Sequence, residues 1–143
     1  MHTHTIYIDR GHIFYLKNQP VMPKTLLPLK HAMQYGPWQV DMKPISNPSR
    51  PSTSWHDVWK GCFHVTLPKD KYHIAPPQHT MPFIQNTSLA RFWTNHKVPH
   101  FLRKNTPVIV KDQQICHEFL TGRHMHTPQK PKAWLQITLS LSE

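Results

Sequence analysis

The tail of the chain carries the cleanest alternation of apolar and polar positions. Ala133, Leu135, Ile137, Leu139 and Leu141 form one set, and Trp134, Gln136, Thr138, Ser140 and Ser142 the other. A period of two puts each set on its own face and predicts a half-buried antiparallel strand. Thr3 to Ile8 alternates in the same way, Asp9-Arg10-Gly11-His12 supplies a turn, and Ile13 to Leu16 returns, which predicts a hairpin. Residues 17–37 carry Pro20, Pro23, Pro28 and Pro37. No long helix fits there, since each interior proline costs about 3 kcal/mol. Trp38 to Met42 alternates again as a short strand. Lys43 then leads into residues 44–54, a Pro/Ser-rich stretch that reads as a surface loop within one domain.

Further on, Trp59 to Pro68 predicts a strand, Lys69-Asp70-Lys71 a turn, and Tyr72 to Ala75 a second strand ended by Pro76-Pro77. The period changes at 87–97. Leu89, Phe92, Trp93 and His96 share one helical face behind Thr87 or Ser88 as N-cap, with Arg91, Asn95 and Lys97 off that stripe. Pro99 suits the first position of a second short helix, anchored by Phe101 and Leu102 and leaving His100, Arg103 and Lys104 outward. After Pro107, Val108 to Lys111 predicts a strand, Asp112-Gln113-Gln114 a turn and Ile115 to Leu120 its return, before a polar basic loop at 121–132. The fold class expected is a small α+β domain dominated by antiparallel strands, barrel- or sandwich-like, with one helix–Pro–helix segment around 88–105. One domain spans 1–143: opening strands and a Pro-rich segment over 1–43, the loop 44–54, and a core over 55–143.

Composition narrows the class. The chain has 143 residues, 17 Lys+Arg against 7 Asp+Glu, and a formal charge of +10. No apolar run is long enough to span a membrane and no signal-peptide core opens the chain, so no membrane partner is expected. Two cysteines far apart cannot build a disulfide scaffold and fit a reducing compartment, the cytoplasm. Five Trp, six Phe and four Tyr supply a core. The positive field favours polyanions, nucleic acid first among them, with a basic solubility surface as the alternative. The 13 His add charge below roughly pH 6.5.

Catalytic patterns are missing. The four glycines are scattered, the acids are few, and no Gly-x-Ser-x-Gly turn occurs, so no catalytic residue is assigned. His96 and His100 are interrupted by Pro99, and Cys62-x-His64, His124-x-His126 and Cys116-His117 lack the spacing of a zinc site. No metal ligand is assigned, although a His-rich metal-binding domain stays open as an alternative. Cys62, Cys116 and Trp93 read as core residues. Residues 88–132 are different: eight Lys/Arg face two acids, Asp112 and Glu118. Their fixed cations on short helices suit phosphate oxygens. The RNA-binding candidates are Arg91, Lys97, His100, Arg103 and Lys104, with Arg123, Lys130 and Lys132 from the following loop; a solvated basic face is the alternative.

That same segment carries a resemblance. Ser88-Leu89-x-Arg91-Phe92-Trp93, Lys97-Val98-Pro99, Phe101-Leu102-Arg103 and Thr106-Pro107-Val108-Ile109 resemble the carboxy-terminal domain of bacterial tRNA(Ile)-lysidine synthases. Gly61 to Leu67-Pro68, Ile74-Ala75-Pro76-Pro77, and Gln114-Ile115 to Gly122 are similar to the strands that flank it. The specific part covers about 57–122, and the first 55 residues match loosely. The resemblance implies a family that adenylates the wobble cytidine of an isoleucine tRNA with a CAU anticodon, after which lysine displaces AMP. It places ATP and Mg in an amino-terminal domain with a Ser-Gly-Gly-x-Asp-Ser loop. This sequence has no such loop, so the chain is expected to be the carboxy-terminal tRNA-binding part, with no cofactor of its own. Its expected partners are tRNA(Ile) and that catalytic domain. A stand-alone basic RNA-binding protein, such as a ribosome-associated one, is the alternative. Arg91 stands where the family often has Lys, and His100 at a position it often fills otherwise.

Overall fold

The computed structural model describes residues 4–17, 22–46, 55, 62–77, 82–83, 87–121 and 133–141. The alternating amino-terminal residues form a two-stranded ribbon, β1 (His4–Asp9) and β2 (His12–Lys17), in register from His4↔Lys17 to Asp9↔His12. Arg10 and Gly11 both take positive φ, 47° and 80°, the mirror-image turn that follows strand twist. β3 (Leu27–Pro28), β4 (Ala32–Tyr35) and β5 (Trp38–Ile45) come next, and the described part of 17–37 holds no helix. β6 (Cys62–Pro68) and β7 (His73–Ala75) follow, then a minimal pair, β8 (Pro82–Phe83) and β9 (Thr87–Ser88). Two short helices, α1 (Leu89–Asn95) and α2 (His100–Asn105), precede the hairpin of β10 (Val108–Lys111) and β11 (Gln114–Glu118). β12 (Trp134–Leu141) completes the order.

Two four-stranded antiparallel sheets organise these pieces, in the orders β4-β5-β12-β6 and β11-β10-β7-β3. β12 lies between β5 and β6, paired from Trp134↔Ile45 to Leu141↔Trp38 on one side and from Trp134↔Pro68 to Ser140↔Cys62 on the other. Its Leu135, Ile137 and Leu139 are buried while Trp134, Gln136, Thr138 and Ser140 are half-buried, as the period of two predicts. In β10 the run Val108-Ile109-Val110 is buried throughout, because this strand is covered on both faces.

Two strand boundaries shift, while the expected α+β class holds. Pro44 and Ile45 belong to β5 and not to the loop, because β12 gives them a partner. The amide of Met42 points to His31 O at 2.9 Å, so Pro44, two residues on, turns its missing N–H to the side where β4 has already ended. Gln114 opens β11, so the turn is Asp112-Gln113 alone, both with positive φ (52° and 62°). The two sheets stay open and share one hydrophobic core with the helices, built around Trp93, Tyr35, Phe63, Phe119 and Ile137, so the fold is a strand-dominated α+β domain and not a closed barrel.

Candidate nucleic-acid interface

The helix pair is fixed by its caps. Ser88 is the N-cap of α1, and its Oγ accepts from the Arg91 amide at 3.2 Å. Leu89, Phe92 and Trp93 turn into the core, which leaves Arg91, Thr94 and Asn95 exposed. At the other end the Lys97 amide donates to Thr94 O (3.1 Å) and the Val98 amide to Trp93 O (3.0 Å). Lys97 takes φ 57°, so this is the left-handed helix stop usually filled by glycine, with buried Val98 as its apolar anchor. Pro99 is the N-cap of α2 (φ −58°, ψ 139°), one residue earlier than the first helical position expected. Its carbonyl takes the Leu102 amide at 3.2 Å, so the helix uses the proline's acceptor as well as tolerating its missing donor. The far end of α2 is closed from outside: Trp38 Nε1 donates to Asn105 O at 2.7 Å.

Arg91, Lys97, His100 and Lys104 are exposed on this segment. His100 and Lys104 are one helical turn apart and share a face of α2. Arg103 departs from the expectation that it faces out. It is 7% exposed; Nε and Nη2 donate to Val98 O at 3.0 and 2.8 Å, and Nη1 donates to Thr94 Oγ1 at 3.2 Å. Its charge faces the inside of the helix pair, because the free carbonyl of Val98 offers a buried acceptor that solvent cannot reach. Arg123, Lys130 and Lys132 lie outside the described residues. Thr94 and the Val98 carbonyl had no signal in the sequence, since one is a surface-type residue on a helix and the other a backbone atom.

The surrounding groups sharpen the surface charge. Lys111 is ion-paired with Asp70, which holds that carboxyl below its usual range and the ammonium above its own. Glu118 is fully buried, with both carboxylate oxygens taking the Thr121 amide (3.0 and 2.9 Å) and one taking the Thr121 hydroxyl. Burial raises its pKa, and the hydrogen bonds from Thr121 together with the indole N–H of Trp93, which faces it short of a full hydrogen bond, pull the other way. Each of these acids thus has a partner of its own, Lys111 for Asp70 and Thr121 for Glu118. His96 is half-buried, its Nδ1 2.9 Å from Phe92 O and its ring centre 4.4 Å from that of Phe92. His117 is buried edge-on to Phe119 (6.1 Å, 82°), so neither ring joins the exposed set.

Cys116 sits mostly inside with its thiol pushed up to about 12 by burial, unsuited to nucleophilic work. Among the described residues, no three His, Cys, Asp or Glu side chains converge as a metal site would need. No helix among them is long and apolar enough to cross a membrane. The ribbon β1–β2 docks on α2 through Tyr7, whose ring stacks on Phe101 at 4.2 Å and 14°.

No family profile matches the chain, and no solved structure gives a significant match. One curated protein does: the tRNA(Ile)-lysidine synthase of Protochlamydia amoebophila is 33% identical over 144 residues, which cover 98% of this chain. The match takes in the loosely resembling first 55 residues as well as the helix–Pro–helix segment. The chain spans 31% of that relative's length. The resemblance carried by Ser88 to Ile109 thus extends along nearly the whole chain, which is similar to part of a tRNA(Ile)-lysidine synthase.

Proposed function

We propose that this chain is a tRNA-binding module of a tRNA(Ile)-lysidine synthase, in which Arg91, Lys97, His100 and Lys104 grip the ribose-phosphate backbone. The observation that carries the reading is a cationic helix–Pro–helix segment inside a chain similar over 98% of its length to such an enzyme. Phosphate contacts position a nucleic acid without reading its sequence, and rigidly based Lys and Arg side chains perform that task. Here buried Leu89, Phe92, Trp93 and Leu102 supply the rigid base. The adenylation of the wobble cytidine and the attack by lysine belong, on this reading, to a catalytic domain that binds ATP and Mg. This module holds the tRNA(Ile) while that domain acts, in the cytoplasm.

The test is binding of the full chain to a CAU-anticodon isoleucine tRNA transcript across a salt series, beside heparin as a polyanion without RNA shape. Three exposed Lys/Arg contacts predict a log–log slope of about −2.7, or about 40-fold weaker binding between 50 and 200 mM salt. Replacing Arg91 and Lys104 by Gln should flatten the slope by about 1.8. Equal affinity for heparin and the transcript would overturn the reading.

A further inference from the structure

We propose that Arg103 is a positioning residue of this interface: it sets the spacing of the RNA-facing cations without touching RNA itself. The inference rests on the tRNA-binding reading and deepens it. Arg103 starts in α2 and reaches back across Pro99 to two points of the preceding helix and its exit. Two of its nitrogens straddle Val98 O, and a third reaches Thr94 Oγ1. The Thr94 hydroxyl gives its own proton to Ala90 O at 2.9 Å, so a lone pair is what it turns toward Arg103. One planar guanidinium thus ties the last turn of α1, the linker and α2 together.

Lys97 is the residue this tie controls most directly. It has a left-handed backbone, which only surrounding structure can hold for a residue with a side chain. That structure is the adjoining Val98: its amide is held by Trp93 O, and its carbonyl is held by Arg103. Arg91 and Lys97 lie before the tie, and His100 and Lys104 after it. A lysine at 103 could reach one acceptor but not span both in a plane, so charge alone would not replace the fork.

The experiment uses the full chain with Arg103→Lys and, separately, Thr94→Val. Thr94 is exposed, so its variant keeps the test alive if Arg103→Lys fails to fold. Amide hydrogen exchange and the salt slope for the isoleucine tRNA transcript are measured on each. Both variants should keep the slow exchange of β12, lose protection at Lys97 and Val98, and show a slope about 0.9 shallower, as if one phosphate contact were lost. A slope kept by both variants would make Arg103 a purely structural residue and overturn the proposal. A slope that Thr94→Val leaves intact while Arg103→Lys flattens it would mean a direct RNA contact through the guanidinium, which also overturns it. Exchange at Val98 reads the tie without RNA, so failure of the native chain to prefer tRNA over heparin would mark the failure of the binding reading instead.

Discussion

Lys97 holds a backbone conformation that costs an L-residue about 1 kcal/mol or more and a glycine almost nothing. Lys97→Gly should therefore leave the unfolding free energy in a urea titration unchanged or raise it by up to about 1 kcal/mol, while weakening tRNA binding. A less stable variant would show that the ammonium has a structural contact. Glu118 adds a pH dependence of known sign. Its folded pKa is raised above the unfolded value of about 4.3, so folding favours the protonated form. Its contribution is fully present below about pH 4.3 and is lost as pH rises through the raised folded value. Glu118→Gln keeps a carbonyl for the Thr121 amide, so its urea midpoint should gain on the native chain as pH rises through that window. A gap between the two that ignores pH would disprove the desolvated carboxyl. Charge was legible in the sequence at this scale, but its direction was not. Arg91 and Arg103 read alike until a buried carbonyl, which leaves no mark in a sequence, claims one of them.

Among elements, legibility followed length. β12 and the ribbon β1–β2 are long enough to show a period of two, and α1 shows its stripe of Leu89, Phe92 and Trp93 over two turns. β3, β8 and β9 have two residues each, too few for any period. The end of β5 was hidden by Pro44, whose usual meaning as a breaker was overridden by an open edge on one side and β12 on the other. The central place of β12 sets a graded cost for truncating its side chains. Leu139 is fully buried between Val40 and Phe63, its partners on either side, so Leu139→Ala should cost about 2–5 kcal/mol. Leu141, half-buried at the strand end, should cost clearly less, and paired denaturation curves for the two variants check the order.

The order of the short motifs carries the likeness to part of a longer enzyme, although the pairing of the strands was beyond reach of local patterns. Nothing in Trp38–Ile45 or Cys62–Pro68 says that a segment starting at Trp134 will lie between them. Contacts so distant along the chain are decided by the shared core, not by neighbours in sequence. That arrangement matters while the polypeptide is being made. β5 and β6 leave the ribosome many residues ahead of the strand that joins them. For that interval each offers its partner's ladder of amides and carbonyls to any passing strand. Translation halted between Pro68 and Trp134 therefore leaves a nascent chain with a cleft down its larger apolar layer, a shape suited to chaperone capture and to pairing with another unfinished copy.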